Sequence, residues 1–150
     1  MSAFRLRRLS ARHLQDSTHL LNAPLGAVLG DENEPGNSGI GEKSLSLVEA
    51  TFSWARDANP VQPLTIGVWT DIGSDMSKRI MELSDIVSFH DYTAPEMLAN
   101  MIGTLQAFGR PVICTEFLLR QSGNTFEAIL PMFSKHRIGW YHWGLVAGRT

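Results

Sequence analysis

The chain has 150 residues, of which 43% are hydrophobic, and it carries a formal net charge of -2 at pH 7. This length and composition predict one soluble domain with a sizeable core, and the balanced charge gives no sign of a nucleic-acid partner. The single cysteine, Cys114, excludes a disulfide framework and lies in an apolar run, which predicts a buried, inert thiol. No run of about 18 apolar residues occurs, so no membrane span is expected.

The first segment, residues 1–24, differs in composition from the rest of the chain. It contains a single acidic residue, Asp16, and four arginines: Arg5, Arg7, Arg8 and Arg12. No apolar stretch follows the arginines, so a secretory signal is not indicated and the cytoplasm is the default location. The arginine-rich, acid-poor composition resembles a transit peptide loosely, but an irregular basic segment with at most a short helix is the favoured interpretation.

From residue 25 onward, short apolar runs alternate with helical patterns. The predicted strands cover residues 25–29, 64–69, 86–90, 111–116 and 138–143. The predicted helices begin near Leu45, Ser74, Thr93 and Asn124, and the last two positions have capping-box spacing to a glutamate. This rhythm predicts about five parallel strands joined by right-handed helical crossovers. A doubly wound open sheet and part of a barrel both fit that count.

Acidic, aromatic and histidine side chains stand at the ends of the predicted strands. They are Glu34, Trp69, His90, Tyr92, Glu116 and Trp143. The glycines at residues 36 and 39 lack the spacing of a phosphate-binding loop, so the set suits a sugar better than a phosphate. Strand ends are where α/β barrels carry their chemistry, and a pair of carboxylates is what a glycosidase needs.

Four short motifs carry a resemblance to a known family. In chain order they are Asn33-Glu34-Pro35, His90-Asp91-Tyr92, Thr115-Glu116-Phe117 and Trp140-Tyr141-His142-Trp143. They resemble successive signatures of the clan of retaining glycoside hydrolases with eight-stranded barrels, and most of all glycoside hydrolase family 5, which contains cellulases and mannanases. The resemblance covers residues 25–150 and implies strands four to eight of a (β/α)8 TIM barrel, with strands one to three missing.

The resemblance also implies the role of each site residue. Glu34 would be the acid/base and Glu116 the nucleophile of a double displacement on a β-linked oligo- or polysaccharide. The implied substrate contacts are Asn33 at the sugar 2-hydroxyl, His90 and Tyr92 along the wall, and Trp143 beneath the ring. Trp69 is a further candidate that is equally compatible with a core position. No metal or organic cofactor is needed, and the sequence does not select one glycan.

Other interpretations of the same residues stay open. Glu34 could be a solvated turn carboxylate, Glu116 a partnered strand-end acid, and His142 a rim or core histidine. A metal site made of His90, Asp91 and His142 lacks a recognised ligand spacing. The competing hypothesis is a catalytically impaired barrel fragment that binds sugar weakly or self-associates.

The missing strands also lead to a prediction about assembly. Strands four to eight alone leave two sheet edges with unpaired backbone groups, and such edges are normally covered or paired. The sequence therefore predicts a homo-oligomer that completes the open barrel, or a basic N-terminal segment that folds over one edge.

Overall fold

The computed structural model describes residues 27–28, 35 and 41–144 of the chain. The described residues contain six parallel strands: β1 (Ala27–Val28), β2 (Leu64–Thr65), β3 (Gly67–Val68), β4 (Val87–Asp91), β5 (Val112–Phe117) and β6 (Gly139–Trp140). Four α-helices alternate with them: α1 (Leu45–Asp57), α2 (Asp75–Leu83), α3 (Pro95–Gln106) and α4 (Phe126–His136). Short 3₁₀ helices cover Gly41–Ser44 and Arg120–Ser122. The predicted helix near the N-terminus and the whole 1–24 segment lie outside the described residues.

Every strand pairing in the described part of the chain is parallel. β1 pairs with β2, and β3, β4, β5 and β6 lie side by side in that order. A single residue, Ile66, separates β2 from β3, where the sequence predicts one continuous strand. The predicted α/β class, with parallel strands alternating with helices, is confirmed.

The hydrophobic core lies between the sheet and the helices. α1 buries Val48, Phe52 and Ala55, which recur at helical spacing on one face. All five residues of β4 are buried, as expected for a central strand of a parallel sheet. Phe133 of α4 packs edge-on against the ring of Phe89, with 6.3 Å between centroids. This contact packs the middle of β4 against α4. None of the described helices is long and apolar enough to cross a membrane.

Of the predicted helix caps, the one at Ser74 is confirmed and the two at Thr93 and Asn124 are wrong. Ser74 caps α2, because its hydroxyl accepts a hydrogen bond of 3.1 Å from an amide of the first turn. The caps predicted at Thr93 and Asn124 are wrong: α3 begins at Pro95 with no side-chain cap, and Thr125 caps α4. Both misassigned side chains instead bind a buried carboxylate at the end of β4.

The last strand is shorter than expected. β6 ends at Trp140, although the amides of Tyr141 and Trp143 still donate to the carbonyls of Cys114 and Phe117 at 2.8 and 2.9 Å. The chain therefore continues beside β5 as far as Trp143. Cys114 is buried, as predicted, and its thiol donates a hydrogen bond of 3.2 Å to the Glu116 carbonyl.

Candidate functional site

An irregularity in β5 decides which way Glu116 projects. Phe89 pairs with Cys114, but the next residue of β4, His90, pairs with Glu116, so Thr115 is an extra residue in β5. Paired residues of neighbouring strands share a face of the sheet, and successive residues alternate. Phe89 packs on α4, so Glu116 and His90 lie on the opposite face, away from the helices. Such a bulge re-aims side chains and is typical of active sites.

The Glu116 carboxylate is restrained on one side. The Tyr92 hydroxyl donates a hydrogen bond of 2.6 Å to Oε2, and Nδ1 of His90 lies 3.6 Å from the same oxygen. The Glu116 side chain is 14% exposed and that of His90 is 1% exposed. Within the described residues, Oε1 accepts no hydrogen bond. The Glu116 carboxylate is thus largely shielded from solvent. Its Oε2 is fixed by Tyr92, and its Oε1 has no hydrogen-bond partner among the described residues.

The His90 contact with Glu116 depends on protonation. A separation of 3.6 Å is too long for a good hydrogen bond, so the interaction is mainly electrostatic. It becomes an ion pair when the imidazole is charged.

Two tryptophans flank this carboxylate along the sheet. Trp69 follows β3 and meets the ring of Tyr92 edge-on, with 6.3 Å between centroids and an interplanar angle of 85°. Trp143 follows β6, and its amide bonds to the carbonyl of Phe117, next to Glu116. Both indoles are exposed. Strand alternation places Trp143 on the same side as Glu116, whereas Trp140 packs against Phe117 on the helix side.

Asn33 and Glu34 lie outside the described residues. The separation of the Glu34 and Glu116 carboxyl groups, which distinguishes retaining from inverting chemistry, therefore stays a prediction. Of the first motif, Pro35 alone is described, and its carbonyl accepts a hydrogen bond of 3.1 Å from the Ser44 hydroxyl.

A buried polar cluster behind the site was missed by the sequence reasoning. Asp91 is 1% exposed, and its two carboxylate oxygens accept hydrogen bonds from the Thr93 hydroxyl at 2.7 Å and the Asn124 amide at 2.9 Å. Asn124, which is fully buried, also accepts from the amide of Leu118 at 2.9 Å. Burial raises the pKa of Asp91, although both hydrogen bonds oppose the shift.

One sequence signal could have revealed this cluster. Asp91 stands between His90 and Tyr92 in a strand, so it must face the helix layer. A carboxylate in that position requires polar partners.

His142 stands apart from Glu116. Its ring lies 5.3 Å from that of Phe126 on the helix side, and its Nε2 is buried without a hydrogen-bond partner among the described residues. In the same part of the chain, no group of three His, Cys, Asp or Glu residues could hold a metal ion.

The fold has a counterpart among solved structures. No family model and no curated protein sequence matches the chain. A β-glucuronidase from Faecalibacterium prausnitzii matches in structure with a TM-score of 0.54 and 14% identity, over 76% of this chain and 23% of the enzyme. The fold is a partial TIM barrel. This chain spans 23% of the length of that glycosidase, and at 14% identity the likeness concerns the fold.

Proposed function

We propose that this chain is part of a retaining β-glycosidase in which Glu116 is the nucleophile and Glu34 the acid/base. The observation that carries the proposal is the hydrogen bond of 2.6 Å from the Tyr92 hydroxyl to the Glu116 carboxylate at the end of a barrel strand. The four sequence motifs support a more specific assignment, to the clan that includes glycoside hydrolase family 5.

The arrangement around Glu116 suits the first step of a double displacement. Oε1 attacks the anomeric carbon while Tyr92 holds Oε2, and Glu34 gives its proton to the leaving oxygen as the glycosidic bond breaks. A covalent glycosyl-enzyme results. In the second step a water molecule gives a proton to Glu34, attacks the same carbon and releases Glu116. This chemistry requires about 5–5.5 Å between the two carboxyl groups.

The aromatic residues provide the surface for the sugar. The apolar face of a pyranose ring packs well against an indole, and Trp143 lies on the Glu116 side of the last strand. In this proposal Asn33 hydrogen-bonds the sugar 2-hydroxyl, and His90 lines the site next to Glu116. Trp69 extends the aromatic surface beyond Tyr92.

The described contacts of the nucleophile guide the choice of substrates to assay. The structural neighbour is a β-glucuronidase by name, and a glucuronide carries a carboxylate that a cation would recognise. The described contacts of the Glu116 carboxylate come from Tyr92 and His90, neither of which is permanently charged. Neutral β-glycosides are therefore the first substrates to assay, with a glucuronide beside them.

A substrate panel tests the proposal. Aryl β-glucoside, β-mannoside, β-xyloside and β-glucuronide, with the corresponding β-1,4-glycans, are assayed with the purified chain. Glu116→Gln should abolish activity without unfolding the protein, because the change is nearly isosteric. The matched control is Glu96→Gln, an exposed residue of α3. Glu34→Ala should slow substrates with poor leaving groups much more than activated aryl glycosides. Activity that survives Glu116→Gln would assign the nucleophile elsewhere.

The competing function is an impaired fragment that self-associates. It is favoured by three aromatic side chains at the last strand, Trp140, Tyr141 and Trp143, which are 42%, 43% and 44% exposed. Exposed aromatic groups beside a sheet edge are a surface for pairing with another chain. Light scattering during size exclusion, over a range of concentrations, distinguishes the predicted homo-oligomer from a 16.6 kDa monomer. An inert substrate panel together with a stable oligomer would favour this function over catalysis.

A further inference from the structure

A pocket of about 470 Å³ opens between the loop after β3 and the side of α3. One wall is the loop segment from Trp69 to Ile72. The other is a stripe of α3 residues at spacings of three and four, which places them on one helix face: Met97, Asn100, Met101 and Thr104. The volume falls in the range of small-molecule sites. The pocket lies on the helix side of Asp91, whereas the Glu116 carboxylate lies on the opposite face of the sheet, and the Trp69 side chain borders both regions.

The charges of the lining residues favour a positively charged ligand. Two carboxylates, those of Asp71 and Asp91, border the pocket, and no Lys, Arg or His residue is among its lining residues. An anion would meet like charges without a counter-ion, which disfavours phosphates and carboxylates. A cation would be attracted by both carboxylates, and Trp69 adds an aromatic ring to the same lining.

The remaining lining residues combine apolar side chains with four that carry a hydroxyl or amide group, namely Thr70, Thr93, Asn100 and Thr104. Ile72, Met97 and Met101 supply aliphatic and thioether surface, and methionine adapts readily to rings of different shape. A ligand that suits the whole pocket therefore combines a compact apolar ring with one positive charge.

Both carboxylates are placed by local structure. Asp71 has φ 49°, in the left-handed region that Asp and Asn tolerate best, and its carbonyl accepts from the Ser74 amide at 2.9 Å. Asp91 is held from inside by Thr93 and Asn124. The charged groups thus need little rearrangement on binding.

We propose that this pocket binds a small organic cation, an ammonium group attached to an aromatic or aliphatic ring. The ring packs between the two methionines and Ile72, and the ammonium lies near Trp69 and the Asp71 carboxylate. This proposal does not depend on the glycosidase activity proposed above, and its test does not use that activity.

Methionine methyl signals report the binding directly. The chain has six methionines, and in protein labelled with ¹³C at the methionine methyl groups, Met97 and Met101 report on the pocket while the buried Met76 and Met81 serve as internal controls. Met97→Leu and Met101→Leu assign the two signals. The probes are 2-phenylethylammonium, 2-phenylethanol and 3-phenylpropionate, which share a ring and differ in charge. We expect the ammonium to shift both signals saturably, the alcohol to bind about threefold to tenfold more weakly, and the propionate to bind weakest.

Charge variants complete the test. Asp71→Asn keeps the side-chain size and tolerates the positive φ, and it should weaken ammonium binding about twofold to fivefold. Asp75→Asn removes another exposed acid, on α2 outside the pocket lining, and should leave binding unchanged. Equal binding of the three probes, preference for the propionate, no shift of Met97 and Met101, or indifference to Asp71→Asn would each overturn the proposal.

Discussion

Replacing Asn124 by leucine should destabilise the protein severely, because this one amide joins the ends of β4 and β5. Its oxygen accepts from the Leu118 amide at 2.9 Å, and its nitrogen donates to the Asp91 carboxylate and to the Thr93 carbonyl, each at 2.9 Å. Leu118, at φ 101°, has a backbone conformation that is costly for a side-chain-bearing residue and needs such support.

The magnitude follows from the groups left without partners. Leucine would leave the Leu118 amide and one oxygen of Asp91 unsatisfied in a fully buried site. Each unsatisfied buried group costs about 1–3 kcal/mol, and more when charged, so we expect a loss of about 3–5 kcal/mol in the free energy of unfolding. Urea denaturation followed by circular dichroism measures it. Asn100→Leu, an exposed asparagine of α3, is the control and should change stability by no more than about 0.5 kcal/mol.

A second variant at the same position separates this cause from a packing defect. Asn124→Asp keeps the side-chain volume but places a second carboxylate beside Asp91. Its oxygen would replace the amide nitrogen that now donates to the Asp91 carboxylate at 2.9 Å. Two carboxylates so close favour sharing one proton, so the variant should be least stable at neutral pH and recover stability as the pH falls. A loss below about 1 kcal/mol for Asn124→Leu, or a pH-independent Asn124→Asp defect, would refute the reasoning.

Three further predictions concern single side chains. Tyr92→Phe should lower the proposed glycosidase activity about tenfold to hundredfold, since a hydrogen bond to a charged group such as the Glu116 carboxylate is worth about 1.5–3 kcal/mol; steady-state kinetics measure this. Because burial raises the pKa of Asp91, the stability linked to its protonation is full below its unfolded pKa and is lost as the pH rises through the folded pKa. Asp91→Asn should therefore flatten the dependence of the urea midpoint on pH. The Arg56 guanidinium, bound to both oxygens of Asp85 at 2.7 Å, lowers the pKa of that carboxyl. The stability contributed by this ion pair is present above the unfolded pKa of Asp85 and is lost as the pH falls through its folded pKa. Arg56→Met should therefore cost about 0.5–1 kcal/mol in the free energy of unfolding at neutral pH and little in acid. Urea unfolding at several pH values measures this.

Local patterns in the sequence were enough to predict the alternation of strands and helices. The helix from Leu45 repeats its apolar residues every three or four positions, and Ser74 caps α2 through a contact within one turn. The caps at Thr93 and Asn124 could not be judged locally. Both side chains bind Asp91, and Asn124 is 33 residues away from it along the chain. The need of the buried Asp91 carboxylate for hydrogen-bond donors therefore outweighs the helix-capping role that the local sequence pattern favours for both side chains.

The bulge at Thr115 is the structural step on which the candidate site depends most. The buried apolar residues of β5 are Val112, Cys114 and Phe117, so the period of two breaks after Cys114. A regular strand would place Glu116 in the helix layer and turn Phe117 to the opposite face. The extra residue keeps Phe117 packed on α4, with 5.3 Å to the centroid of Phe133, and at the same time releases the carboxylate to the other side. The break in apolar spacing is visible in the sequence. The resulting orientation of Glu116 is recognised only when β5 is aligned with β4, because that pairing shows Thr115 to be the extra residue.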